Sequence, residues 1–221
     1  MRPDIANAVK ELARETWHFT TDSWKKAKHL LRYLKATSDF ELTLRPDTHF
    51  ADDMQREFEI TVYADSDWAG CANTSKSTSG VVLRLLSCTV YVASRTQGSI
   101  ATSSGEAELY AIGAATSEAL RIKHLLKEAQ LVSQAKIVLL IDSNVAKSIT
   151  SRIGVGKRCK HREVRYLYVQ ELVNLGKIIV RKVGARDNLA DLLTNYLSGD
   201  DTLRFAIALG VERRTSHVSL E

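Results

Sequence analysis

Four carboxylates stand where a surface acid is not the default. Asp65 ends the alternating segment Phe58-Glu-Ile-Thr-Val-Tyr-Ala-Asp65, and Asp142 ends the most apolar stretch of the chain, Ile137–Ile141. Glu108 precedes Ile112 by four residues and Ala115 by seven, so it shares a helix face with them. Asp191 sits among Leu189, Ala190, Leu192 and Leu193. Strands that end in carboxylates, with further acids on adjacent helices, converge at one edge of a sheet. Such a cluster repels itself unless cations neutralise it. Oxygen donors without His or Cys select Mg²⁺ or Mn²⁺ over zinc. Each acid also has an ordinary structural job open to it. Asp142 can cap the helix that follows it, Asp191 can serve as a first-turn acid, and Asp65 or Asp67 can shape a turn. Glu106 has such a job, because Ser103-x-x-Glu106 is a capping-box pattern. Glu108 has no such job, which favours it over Glu106 as the helix ligand.

A second signal is charge. Between Ser151 and Arg186 ten Lys or Arg face only Glu163 and Glu171, a balance of +8, which leaves −3 for the rest of a +5 chain. One basic region on a mildly acidic body fits a polyanion partner, and it equally fits a solvated helix face. Weaker patterns carry less. Gly154-Val-Gly-Lys157 lacks the spacing and the Ser/Thr of a P-loop. Cys159-x-His161 has no second ligand pair for zinc. Trp68 serves as packing or a loop anchor, with stacking on nucleic acid as the alternative. Asn73-Thr-Ser75 matches a glycosylation sequon without a secretory context.

The elements that must position the acids follow from periodicity. The sequence predicts helices over 5–16 (Ile5, Val9, Leu12) and from Thr21-Asp22 (Trp24, Ala27, Leu31, Leu34), then a strand over Phe40–Arg45. An acidic turn-like stretch, Pro46 to Asp53, separates this piece from the rest. Strands follow at Phe58–Asp65, Gly80–Leu86 and Thr89–Ser94, the last two as a hairpin. A long helix runs from Gly105 to about Ala129 with Ile112, Ala115, Ala119, Ile122 and Leu126 inward. After it come a strand Lys136–Ile141, a short helix Asn144–Thr150 and a helix from about His161 to Leu175. A strand Lys177–Val183 and a helix after Asp187 close the order. Three strands and then αβαβα make an α/β protein with a mixed sheet covered by helices.

Composition excludes whole classes. The 221 residues are 44% hydrophobic and 26% charged with only two prolines, which argues against a disordered, collagenous or repeat protein. No apolar run is long enough to span a bilayer, and Met1-Arg2-Pro3-Asp4 leads into no signal-like stretch. Cys71, Cys88 and Cys159 are far apart and odd in number, as expected of reduced thiols in an intracellular (cytoplasmic or nuclear) protein.

The ordered set Tyr63-Ala-Asp-Ser-Asp-Trp-Ala-Gly70, Lys76-Ser-Thr-Ser-Gly80, Ala101-Thr-Ser-Ser-Gly-Glu-Ala-Glu-Leu-Tyr-Ala111, Ile141-Asp-Ser-Asn144, Lys160-His161 and Leu189-Ala-Asp-Leu-Leu-Thr194 resembles the ribonuclease H region of Copia-type retrotransposon Pol polyproteins. The resemblance covers about Phe58 to Leu197. Residues 2–45 resemble the helical end of the reverse transcriptase upstream, and Leu203–Val211 resembles the end of such polyproteins. It implies a ribonuclease H-like mixed five-stranded sheet flanked by helices with an N-terminal helical extension. The organisation it implies is 1–50 (helical remnant), 58–197 (ribonuclease H-like domain) and 198–221 (tail).

Matched motif by motif, the family's Asp, Glu, Asp, Asp set falls on Asp65, Glu108, Asp142 and Asp191, with Glu108-Leu-Tyr-Ala111 fitting the helix signature better than Glu106. The implied activity is cleavage of the RNA strand of an RNA–DNA hybrid by two Mg²⁺ or Mn²⁺ ions ~4 Å apart. Asp65 would bridge both ions, Glu108 and Asp142 would hold one side, and Asp191 the other. Phosphate contacts are expected from Lys157, Arg158, Lys160, His161 and Arg162, with Asn144 on a sugar or phosphate, or simply starting a helix. Besides the hybrid, the implied partner is the polymerase part of the parent polyprotein, with no membrane. Two departures stand out: Gly184-Ala-Arg-Asp-Asn188 lacks the His of many cellular members, and Asn195 replaces the usual Lys. No Tyr-x-Asp-Asp motif is present, so a working reverse transcriptase is excluded. The competing expectations are an inactive nucleic-acid-binding remnant and a structural module of a reverse transcriptase.

Overall fold

The computed structural model describes residues 1–46, 58–144 and 163–214. The elements in chain order are α1 (Ala6–Arg14), α2 (Thr21–Ala36), β1 (Phe40–Leu42), β2 (Phe58–Ser66), β3 (Thr78–Leu85), β4 (Cys88–Thr96), α3 (Ser104–Glu128), β5 (Ala135–Ile141), α4 (Glu163–Asn174), β6 (Ile178–Lys182), a 3₁₀ turn (Leu189–Leu193), α5 (Gly199–Ala208) and β7 (Val211–Arg213). The expected short helix over 144–150 lies, past Asn144, outside the described residues.

The main sheet has the order β4-β3-β2-β5-β6. β2, β3 and β4 form an antiparallel meander, and β5 and β6 add in parallel to β2. The β3–β4 connection is the two-residue turn Leu86-Ser87, with φ of 50° and 66°. Both angles are positive, as the hairpin turn that matches strand twist requires.

Alternation along β2 sorts its side chains between two cores. Ile60, Val62 and Ala64 face α3, joining Ile112, Ala115, Ile137 and Leu139 in the larger cluster. Tyr63 faces the other side, where Val82, Leu189, Leu192, Leu193, Phe205 and Leu209 form a smaller one. Ile60, Ile112, Ile137 and Leu139 are buried to within 1% of completely. Each such side chain contributes roughly 1.5–3 kcal/mol of transfer free energy.

Two expectations change. The segment after Asp187 is a five-residue 3₁₀ turn, with a separate helix beginning only at Gly199. The outward residues of α2 include Trp24 and Leu31, 51% and 58% exposed. Its packed side is instead Ser23, Ala27, Leu30, Leu34 and Thr37, a 4-3-4-3 spacing. Polar anchors seat the N-terminal segment. Arg2 donates to Asp4 and to the Thr37 hydroxyl and carbonyl, and Tyr33 donates to Asp4. Lys10 donates to Thr78 Oγ1 at 2.7 Å, and Ser94 donates to Asn7. β1 pairs antiparallel with β7, Leu42 opposite Val211, so the strand that follows α2 and the last described strand share a small sheet. Cys71 and Cys88 are buried free thiols, and Cys159 lies outside the described residues. Among the described residues no helix is long and apolar enough to cross a membrane.

Candidate metal centre

Parallel pairing of β2 with β5 brings the first two acids together. The register places Tyr63 opposite Leu140, so Asp65 and Asp142, each two residues further on, come level on adjacent strands about 4.8 Å apart. Period-two alternation puts Asp65 on the Tyr63 side, the side covered by the 3₁₀ turn. That turn delivers Asp191. Asn188, fully buried, caps it by accepting from the Ala190 amide and donates to the Ala64 carbonyl at 3.2 Å, tying the turn to β2. Thr194, at its far end, donates its hydroxyl to Asp65 Oδ2.

Gly80 lets the turn come this close. It lies opposite Asp65 in the β2–β3 ladder. A Cβ there would stand 2.8 Å from the Ala190 carbonyl oxygen and 2.9 Å from Thr194 Cγ2. The glycine's requirement is space, as in other strand glycines that a second backbone approaches.

Asp65, Asp142 and Asp191 each offer one oxygen, all within 4.8 Å of one another. Glu108 stands beside this triad rather than in it, on the first turns of α3. That end of α3 is fixed by Ser103, which accepts from the Glu106 amide, and by Gln97, buried, which donates to the Ala107 carbonyl and to Ser79. The Glu106 carboxylate accepts from the Thr102 amide and hydroxyl and from the Tyr110 hydroxyl, so it is held at the helix start through the residue before Ser103. Asp67 is the turn residue of its pair, accepting from the Thr78 amide.

The electrostatics are those of crowded like charges. Burial pushes the Glu108 carboxyl up to about 8, and the neighbouring Asp65 and Asp142 charges push the same way. Burial, then Asp65 and Asp142, raise Asp191 to about 7, with Arg204 opposing. Asp65 is raised to about 6, chiefly by burial, while the Thr194 hydrogen bond holds it down. Glu108 Oε2 is buried with no hydrogen-bond partner among the described residues. Converging oxygens, an orphaned buried carboxylate oxygen and an all-oxygen donor set fit a hard divalent cation.

The structure thus gathers Asp65, Asp142 and Asp191 and sets Glu108 next to them. Asn144 is exposed, and its Oδ1 accepts from Lys182 Nζ at 3.0 Å. Lys157, Arg158, Lys160, His161 and Arg162 lie outside the described residues. Trp68 is an anchor, its indole donating to the Ala101 carbonyl at 3.2 Å, with the ring 57% exposed. Sequence reasoning gave no role to Gly80, Asn188 or Thr194. The usable signals were a glycine inside a strand pattern and an Asn one residue before a helical turn.

A mixed sheet with an antiparallel meander on one side, parallel strands on the other, and aspartates at the ends of the two central strands is a ribonuclease H-like fold. No protein-family model matches the chain. By sequence, however, its homologues are retrovirus-related Pol polyproteins of Copia-type transposons. It is 30% identical over 210 residues to the polyprotein from transposon RE2 of Arabidopsis thaliana, covering 95% of this chain and 14% of the relative. It is also 30% identical over 196 residues to that from transposon TNT 1-94 of Nicotiana tabacum, again covering 14% of the relative. The chain therefore spans about one seventh of the length of these relatives. Among solved structures, the N-terminal RNase H domain of a Mycobacterium tuberculosis protein superposes with a TM-score of 0.47 at 18% identity, covering 69% of this chain and 99% of that one.

Proposed function

We propose that this chain is a divalent-metal-dependent endonuclease that hydrolyses the RNA strand of RNA–DNA hybrids. The observation that carries the reading is the convergence of Asp65, Asp142 and Asp191, with Glu108 alongside, at the ends of the central strands. Asp65, Glu108, Asp142 and Asp191 would hold two Mg²⁺ or Mn²⁺ ions. Bound there, such ions would supply the chemistry of an ionised water nucleophile and of charge stabilisation on the leaving 3′ oxygen. The protein's part is positioning. The charges of Asp65 and Asp142 both reach Glu108 and Asp191, and Asp65 is the more buried of the two, which suits it to the centre of the cluster. Thr194 fixes one Asp65 oxygen. Hybrid would be selected through 2′-hydroxyl contacts across its wide minor groove. The Ser151–Arg186 basic region would supply phosphate contacts. The polymerase part of a longer polyprotein is the proposed protein partner.

The test is cleavage of a labelled RNA–DNA hybrid in Mg²⁺ or Mn²⁺, wild type beside Asp142→Asn. The expected result is cutting of the RNA strand only, abolished by EDTA and lowered at least about 10³-fold by the substitution, as for loss of several kcal/mol of transition-state stabilisation. Folded wild type that binds hybrid but cuts nothing with either metal would leave the inactive nucleic-acid-binding remnant as the better account.

A further inference from the structure

Beside Asp191, on the side away from α3, a cleft of about 570 Å³ opens between the Ala185–Asp187 turn and α5. Two arginines from different elements line it. Arg186 comes from the loop before the 3₁₀ turn, and Arg204 comes from α5. Arg204 is held, not loose. Its guanidinium lies over the Phe205 ring at 4.4 Å, donates to the Arg186 carbonyl at 2.7 Å and approaches Asp201 at 3.5 Å. Asp201 takes that Arg204 donor on one oxygen and the Ser198 hydroxyl on the other, so it pairs with part of the Arg204 charge. The Arg204 Nε–H has no partner among the described residues, and the side chain remains 46% exposed. A planar cation braced on a ring, with donors left over, is preorganised for an oxyanion. Its charge is felt at Asp191, so the cleft and the carboxylates form one continuous surface.

We propose that the Arg186–Arg204 cleft binds a phosphodiester of the nucleic-acid strand that passes over the carboxylates. This rests on the reading of the carboxylate cluster as a nuclease site, and it adds a wall of two arginines, one of them paired with Asp201, on the Asp191 side. The wall is built by the loop before the 3₁₀ turn and by α5, both far in sequence from β2 and β5. Backbone phosphate contacts fix the register of a strand on its protein without reading its bases. The arginines therefore set which phosphate reaches Asp65 and Asp142.

The experiment is hybrid binding in EDTA, followed by fluorescence anisotropy of a labelled RNA–DNA hybrid between roughly 50 and 200 mM salt. The full chain would be compared with Arg204→Gln, Arg204→Lys and Arg186→Gln. Lys127→Gln, in the last turn of α3, is the control for loss of one charge elsewhere. Losing one phosphate contact should weaken binding about eightfold near 0.1 M salt and flatten the log–log salt slope by about one. The expected pattern is this loss in Arg204→Gln and Arg186→Gln, a retained slope in Arg204→Lys, and no change in Lys127→Gln. Affinity and slope unchanged in both Gln variants overturns the proposal, as does equal weakening by Gln and Lys at Arg204 with no change of slope. The assay needs no cleavage. A wild type that binds but does not cut would sink the nuclease reading and leave the cleft tested, whereas one that binds no hybrid would sink both.

Discussion

Thr194 shows how one side chain serves two purposes. It donates to Asp65, lowering a carboxyl that burial raises, and its methyl group packs where Gly80 leaves room. Replacing it with Val keeps the shape and removes the donor. Thr194→Val should raise the Asp65 carboxyl above its value of about 6, read by carboxyl carbon NMR in the metal-free protein. It should also cost about 1.5–3 kcal/mol of stability, the usual scale for a hydrogen bond to a charged group. Thr194→Ser should restore both. Identical titration in Thr194→Val and wild type would refute the role.

The raised carboxyls also set how stability responds to pH. Asp65, Asp191 and Glu108 titrate near 6, 7 and 8 in the fold, against ordinary values of 3.8, 3.8 and 4.5. The folded state then holds protons that the unfolded chain releases. Their contribution is fully present below about pH 4 and is lost as pH rises through 6 to 8. The metal-free protein should therefore lose melting temperature between pH 5 and 8 in EDTA. Mg²⁺ or Mn²⁺ should restore it most at the alkaline end, where the ligands are ionised. A melting temperature that rises over this range in EDTA and ignores both metals would contradict the assignment.

At the scale of elements, the 3₁₀ turn decides the site. It is short because Asn188 caps it at one end and Thr194 turns back onto Asp65 at the other, leaving no length for an α-helix. Its seat depends on Gly80. Gly80→Ala would drive a methyl group against the Ala190 carbonyl and Thr194 Cγ2, and a backbone carbonyl cannot swing aside as a flexible side chain can. The expected cost is roughly 1–3 kcal/mol, the scale of overpacking. Hybrid cleavage should fall further than that stability loss explains, because Asp191 moves with the turn. Denaturant midpoints and cleavage rates measured together test this, and wild-type activity in a folded Gly80→Ala would rule it out.

At the scale of the whole molecule, the N-terminal segment (residues 1–46) meets the last described elements. β1 pairs with β7, α5 packs its Phe205 and Leu209 under the 3₁₀ turn, and α1 reaches the sheet through Lys10 and Asn7. Arg2 is the keystone of the N-terminal segment, joining Asp4, whose side chain is fully buried, to the end of α2 at Thr37. Arg2→Ala strands that carboxylate with Tyr33 alone. It should cost roughly 3 kcal/mol, as breaking one partner of a buried pair does. A melting temperature within error of wild type would show the segment to be independent of that contact.

Much of this was legible in the chain itself. The alternation of Phe58–Ala64, the apolar stretch ending at Asp142 and the Ile112–Ala115–Ala119 stripe behind Glu108 follow from burial alone, so strands, long helix and the four acids could be read locally. Because local pattern carries no information about approach between distant segments, the rest needed the fold. Trp24 and Leu31 look inward by spacing and lie outward, since the packed side of α2 is set by what Arg2, Asp4 and Tyr33 hold it against. The helix expected after Asp187 became a capped turn because Asn188, Gly80 and Thr194 each act through contacts more than a hundred residues apart. The sequence by itself determined which residues are acids at strand ends, and hence the chemistry open to them. Only the tertiary structure decided that Asp65, Asp142 and Asp191 form the tight group, that Glu108 stands beside it, and that two arginines wall its open side, because those facts depend on parallel register and on how closely one backbone can approach another.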